Sequence, residues 1–167
     1  DNLLDVVLNV NGKSRLMAKY ADAYRPDGVA AELTAEGQLV TDGTMAVTDE
    51  GYEKPVELLH VGEKLYVIVR DPDLDISDER DAAELIIVSE SGEKETVKLE
   101  ETLSHSGVFA GSFELKAREK PTPANFSDID REIECYFGDQ LKVSYVDLSS
   151  SGGAEGATLG HELPVAI

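Results

Sequence analysis

Apolar side chains recur at every second residue through most of the chain. Leu65, Val67 and Val69 alternate with Lys64, Tyr66, Ile68 and Arg70; Val97 and Leu99 alternate with Thr96, Lys98 and Glu100; Leu141, Val143 and Tyr145 alternate with Lys142, Ser144 and Val146. A period of two puts one set of side chains on one face of an extended segment, so these stretches predict strands with a buried face. Helical spacing is permitted only at Leu16 to Tyr20 and Val29 to Leu33, and Pro26-Asp27-Gly28 sets a turn before the second. Asn11-Gly12, Asp42-Gly43, Ser91-Gly92, Ser106-Gly107, Phe137-Gly138-Asp139 and Ser151-Gly152-Gly153 punctuate the rest as turns. In the run from Gly107 to Leu115, Phe109, Phe113 and Leu115 share a face with Gly107 and Gly111, which predicts a core strand packed large against small. Many short strands separated by such turns predict an all-β fold, an antiparallel β-sandwich.

The pattern also repeats. Leu16-Met17-Ala18-Lys19-Tyr20-Ala21-Asp22 and Leu141-Lys142-Val143-Ser144-Tyr145-Val146-Asp147 share Leu, Tyr and Asp at an offset of 125 residues, which also sets Leu8 on Ile133, Val10 on Cys135 and Gly28 on Gly153. After one inserted residue, Ala31, Leu33 and Leu39 fall on Ala157, Leu159 and Val165. On this reading residues 1–40 are the closing strands of a preceding β-sandwich module and 41–167 are a complete module. A second reading makes both copies internal hairpins of one larger sandwich. The opening Asp1-Asn2-Leu3-Leu4-Asp5 has neither an initiator Met nor a charged segment followed by an apolar one, so we expect a processed chain or an excised fragment. Residues 1–10 offer a strand for pairing at a neighbour's sheet edge.

Charge changes the picture more than size does. Within 167 residues, 34 Asp and Glu oppose 15 Lys and Arg, a net charge of −19. Such a surface repels phosphates, which excludes nucleic acid as a partner, and attracts divalent cations. No apolar run is long enough for a membrane-spanning helix. The single cysteine, Cys135, excludes an internal disulfide framework but leaves the compartment open.

The acidic run Asp71-Pro72-Asp73-Leu74-Asp75-Ile76-Ser77-Asp78-Glu79-Arg80-Asp81 is the strongest local signal. Calcium takes six to eight oxygens at about 2.3–2.6 Å, and alternating carboxylates in a turning segment bring several within reach of one ion. Asp71, Asp73, Asp75, Asp78 and Asp81 are therefore candidate calcium ligands. The run lacks the glycine and the flanking helices of an EF-hand, and a solvated loop whose Asp and Ser side chains bond their own backbone is the competing account. Asp128, Asp130 and Glu132, with Asp147 at a strand end, form a weaker second acidic group. Asn125-Phe126-Ser127 matches the glycan acceptor pattern.

Catalytic constellations are poor. His60, His105 and His161 lack zinc-site spacing; Ser104, His105 and Ser106 are neighbours whose side chains diverge on an extended segment; no nucleophile elbow or P-loop is present. Paired carboxylates for glycoside hydrolysis are a matter of separation in space, and no Trp is present to stack on sugar rings.

Two runs carry a family resemblance: Gly62-Glu63-Lys64-Leu65-Tyr66-Val67-Ile68-Val69-Arg70-Asp71-Pro72-Asp73-Leu74-Asp75, and Glu101-Thr102-Leu103-Ser104-His105-Ser106-Gly107-Val108-Phe109-Ala110-Gly111-Ser112-Phe113. They resemble the immunoglobulin-like repeats of very large bacterial and archaeal cell-surface proteins of the S-layer and adhesin type, in which a strand ending in an Asp-Pro-Asp loop precedes a Thr-Gly-Val-Phe-x-Gly-Ser strand. Ser106 stands where Thr is more usual. The similarity spans about residues 60–150. It implies an extracellular immunoglobulin-like β-sandwich that serves as a non-catalytic structural or adhesive module, with calcium stiffening its loops at Asp71, Asp73 and Asp75. The expected partners are neighbouring modules of the same chain or lattice, other cell-surface proteins or glycans. The alternative is a carbohydrate- or protein-binding accessory domain of a secreted enzyme, which would need exposed Tyr20, Tyr24, Tyr52, Tyr66 or Tyr136 clustered on one sheet.

Overall fold

The computed structural model describes residues 8, 10, 13–118, 131–151 and 156–166. The Asn125-Phe126-Ser127 acceptor, Asp128, Asp130, the Asn11-Gly12 and Gly152-Gly153 turns and most of residues 1–10 lie outside these. Among the described residues eleven strands follow in chain order: β1 (Arg15–Asp22), β2 (Ala31–Gln38), β3 (Thr44–Thr48), β4 (Leu59–His60), β5 (Lys64–Arg70), β6 (Ala82–Ser89), β7 (Lys94–Glu101), β8 (Val108–Ala117), β9 (Glu132–Cys135), β10 (Gln140–Asp147) and β11 (Ala157–Ala166). One 3₁₀ turn, Pro72–Leu74, follows β5. The fold is all-β, and among the described residues no helix is long and apolar enough to cross a membrane.

Nine strands form one sheet, in the order β3-β5-β8-β7-β6-β10-β11-β4, with β9 beside the far end of β8. The alternation seen along the chain is the alternation of burial. In β7 Val97, Leu99 and Glu101 point inward, and in β10 Leu141, Val143, Tyr145 and Asp147 do so. A sheet this rich in inward side chains buries them by curling, and it closes part of the way to a barrel. Two features make the bend. Strand β8 meets β7 through only Glu100↔Ala110 and Glu101↔Phe109, then turns to pair with β9 in parallel from Glu114 onward. At the other side, His161 of β11 bonds the carbonyl oxygen of Met45 on β3 at 3.0 Å.

A single core cluster results, with Val67, Val69, Phe109, Phe113 and Leu115 from one flank and Leu85, Ile87, Leu99, Leu141 and Val143 from the other. Gly111 marks the closest approach, because a Cβ there would lie 2.6 Å from Leu99 Cδ2. This accounts for the large-small alternation along β8. Ile68, on the polar phase of β5, is also buried; β5 runs between β3 and β8 and sets it between Ala46 and Ala110.

Strands β1 and β2 stand apart as a two-stranded antiparallel sheet whose side chains are almost all exposed. From its end the chain passes through Thr41 and Gly43 into β3. Both of those residues are fastened from the loop end of the large sheet.

Candidate metal centre

Pro72 decides the shape of the acidic loop. Its fixed φ suits the first position of a helical turn, and Asp71 before it caps that turn, accepting the Asp73 N–H at 2.9 Å. The carboxylates therefore do not project to one side. Asp71 and Asp73 turn inward, each 1 % exposed. Asp71 accepts the Tyr145 hydroxyl, Asp73 Oδ2 accepts the Thr41 N–H at 2.9 Å, and Asp147 Oδ2 accepts the Gly43 N–H at 2.8 Å. These three acids clamp the strand entering β3 onto the end of β10. Burial raises the Asp71 pKa, with the charges of Asp147 and Asp73 adding to it, while the Tyr145 hydroxyl and the Asp73 N–H oppose the rise. Asp73 Oδ1 is buried with no hydrogen-bond partner.

A second group lies further along the loop. Asp75, Asp81 and Glu101 each place one carboxylate oxygen within 4.8 Å of the others, the only such set of three metal-ligating side chains among the described residues. Backbone N–H groups hold Asp81 and Glu101, and the His105 ring holds Asp75. Asp81 Oδ2 accepts the Ile76 and Ser77 N–H groups at 2.9 and 3.0 Å. Glu101 Oε1 accepts the Ser106 and Gly107 N–H groups, both at 2.7 Å, and Oε2 accepts that of Asp81 at 3.3 Å. Asp75 Oδ1 lies 3.0 Å from His105 Nδ1. Gly107 enables the fold of this loop: its φ is +58°, and a Cβ would lie 2.8 Å from Pro72 Cα.

The electrostatics favour the ionised forms of Glu101 and Asp81. Burial alone would raise Glu101, but the N–H donors of Gly107, Asp81 and Ser106 together outweigh it and hold its pKa below the ordinary value. The Ile76 N–H, joined by the Ser77 donors, lowers Asp81. The hydrogen bond and charge of Asp75 raise His105. Three converging carboxylate oxygens are the donor set a hard cation takes, and backbone carbonyls and water would complete the shell of a calcium ion.

Of the five aspartates singled out from sequence, the structure thus brings Asp75 and Asp81 together. Asp71 and Asp73 face the Thr41 and Tyr145 side, and Asp78 is fully exposed with one oxygen 3.8 Å from His105 Nε2. Glu101 was not foreseen. Its signal was present, since an acid occupies the inward phase of a strand after Val97 and Leu99. The His105 ring engages Asp75, while Ser106 bonds Glu101 and Thr102. Among the tyrosines, Tyr52 and Tyr66 meet edge to face at 5.7 Å, and Tyr20 and Tyr24 lie exposed on the separate hairpin.

At the other end of β10 sits another acidic pocket. Asp139 accepts the Ser91 hydroxyl at 2.6 Å and the Tyr136 N–H at 2.8 Å. Beside it, burial, aided by the charges of Glu134 and Glu95, pushes Glu93 up to about 7, against the Glu134 N–H and Arg118. Cys135 is buried here, and burial pushes its thiol up to about 11. A carboxyl raised by folding stabilises the fold below its unfolded pKa, and that contribution is lost as pH rises through about 7. Glu93→Gln is therefore expected to raise the unfolding free energy by about 1 kcal/mol at pH 8, after allowance for partial solvent screening, and to leave it unchanged near pH 4. Urea unfolding at the two pH values measures this.

Comparison with protein-family models gives no match for this chain, and comparison with curated proteins gives none at a significant level.

Proposed function

We propose that this chain is a non-catalytic structural or adhesive segment of a large, repetitive bacterial or archaeal cell-surface protein. Residues 41–167 act as one immunoglobulin-like β-sandwich module, residues 1–40 close the module before it, and calcium stiffens the loop between β5 and β6. The convergence of the Asp75, Asp81 and Glu101 carboxylates carries this reading. An extracellular module meets calcium at millimolar concentration, and a net charge of −19 keeps neighbours apart until a cation bridges or neutralises the carboxylates. The curled nine-stranded sheet, with its bend at the short β7–β8 contact, supports a sandwich of two facing halves, β3-β5-β8-β9 and β7-β6-β10-β11. Cation binding at the loop would join β5, β6 and the end of β7 at one end of the module. That is where stiffness against bending is needed.

The experiment is thermal unfolding of the chain in chelator and in millimolar calcium. An ion bound only by the folded state adds about 2.7 kcal/mol when present at a hundredfold its Kd, a shift of several degrees at this size. Asp81→Asn keeps an oxygen for the Ile76 and Ser77 N–H groups and removes the charge. It should abolish the calcium shift while leaving the melting temperature in chelator within about 2 °C of the parent. Equal melting temperatures of the parent chain with and without calcium would overturn the metal part of the reading.

A further inference from the structure

We propose that the β1–β2 hairpin is a docking element that completes the sheet of a second copy of this fold, placed before it in the array, in the position β10–β11 occupies here. The proposal rests on the array reading above and names the segment that covers the hairpin.

The register carries it. In β1–β2, Leu16 pairs with Gly37, Tyr20 with Leu33 and Asp22 with Ala31. In β10–β11, Leu141 pairs with Leu163, Tyr145 with Leu159 and Asp147 with Ala157. Moving β1 by 125 residues and β2 by 126, the offsets of the sequence repeat, lays all eight pairs of the first hairpin onto those of the second. A slip of one residue would send every side chain to the other face, so matched register means matched faces.

Those faces have matched chemistry and opposite surroundings. Leu16, Ala18, Tyr20 and Leu33 take the phase of Leu141, Val143, Tyr145 and Leu159; the reverse face carries Lys19 and Glu32, paired at 3.1 Å. Leu141 is 0 % and Tyr145 3 % exposed, whereas Leu16 is 40 %, Leu33 55 % and Tyr20 63 % exposed. A lone two-stranded hairpin is marginal in water, and this one turns an apolar face to solvent.

The chain itself displays the occupant that such a face takes. Strand β10 pairs along its free edge with β6, through Tyr145↔Leu85 and Val143↔Ile87. Its Tyr145 hydroxyl reaches Asp71 of the Asp-Pro-Asp loop, and its Asp147 accepts the Gly43 N–H. In the preceding copy the equivalents of β6, Asp71 and Gly43 would receive β1, Tyr20 and Asp22. The β6 edge of this chain is already filled by β10, so the partner is another copy.

The test places that copy where the repeat puts it, by fusing residues 41–132 ahead of Leu8 of the full chain. Amide hydrogen exchange is read across β1–β2 in the parent, the fusion and a fusion carrying Tyr20→Lys. The amides of β1 and β2 are expected to exchange on the order of a hundredfold more slowly in the fusion than in the parent, and to return to the parent rate with Tyr20→Lys. A second variant of the full chain, with residues 140–164 replaced by 15–38, should keep one cooperative unfolding transition, because the two hairpins dock alike. Exchange in β1–β2 that is unchanged by fusion overturns the proposal, as does protection that survives Tyr20→Lys or loss of the cooperative transition in the replaced chain. Protection already present in the parent and rising with its concentration would assign the face to copies meeting in trans and also overturn it. The calcium shift is read on β3–β11 of the parent, so it stands or falls separately.

Discussion

Glu101→Ala is expected to lower the unfolding free energy by about 3–4 kcal/mol, measured by urea unfolding at pH 7 in chelator. Glu101 is 1 % exposed, and its two oxygens accept the N–H groups of Ser106, Gly107 and Asp81. Alanine would strand those three donors beneath the loop, where the backbone at Gly107 lies against Pro72 and gives water little room. Glu101→Gln keeps one accepting oxygen but turns an amide NH₂ toward backbone donors, so it should cost about half as much. The pH dependence separates this role from simple loss of packing. The folded pKa of Glu101 lies below its unfolded value of 4.5, so its stabilisation is present above that value and is lost as pH falls through the folded one. Glu101→Ala should remove that part of the acid limb, and the parent and variant curves should converge at low pH. A variant within 1 kcal/mol of the parent at pH 7 would mean that the loop finds other acceptors. The same substitution should also erase the calcium shift, since it removes one of three converging carboxylates.

Why the role of Glu101 could not be read from the sequence while β7 itself was plain is a question of range. Period-two alternation is a local consequence of the pleat, so Leu65, Val67 and Val69, or Val97 and Leu99, announce strands from a few residues each. Which strands pair is decided by the whole core. That β8 leaves β7 after two residue pairs for β9, or that β6 lies between β7 and β10, follows from how Phe109, Leu99 and Leu141 fill one interior. The acidic loop shows both scales. Its turn was legible from Asp71-Pro72, and its crowd of carboxylates from composition. Its division in two was not, because Asp71 and Asp73 are drawn inward by Thr41 and Tyr145, residues 30 and 74 positions from Asp71, whereas Asp75 and Asp81 stay with a glutamate at the end of another strand. The shared register of the two hairpins was legible for the opposite reason: register is written in the phase of alternation, and Leu16, Tyr20 and Asp22 keep the phase of Leu141, Tyr145 and Asp147.

Tyr145→Phe should cost about 2–3 kcal/mol at pH 8 and progressively less as pH falls. The hydroxyl is the donor that Asp71 Oδ2 receives in a site where Asp71 is 1 % exposed and where Asp73 and Asp147 are also buried. Without it, Asp71 keeps only the Asp73 N–H, and its carboxyl, already raised by burial, rises further. A raised carboxyl supports folding below its unfolded pKa of 3.8 and ceases to do so as pH climbs through the folded value. The gap between parent and variant therefore widens from pH 4 to pH 8 and levels off once Asp71 is ionised in both. Asp71→Asn distinguishes the charge from the shape. In the phenylalanine background it removes the unpaired anion, so the double variant should be more stable at pH 8 than Tyr145→Phe alone, and the double-mutant cycle should return a coupling of about 1–2 kcal/mol. A cost that is flat with pH, or single effects that simply add, would show that Tyr145 contributes through its ring against Leu85 and Leu159 and that the Asp71 contact is incidental.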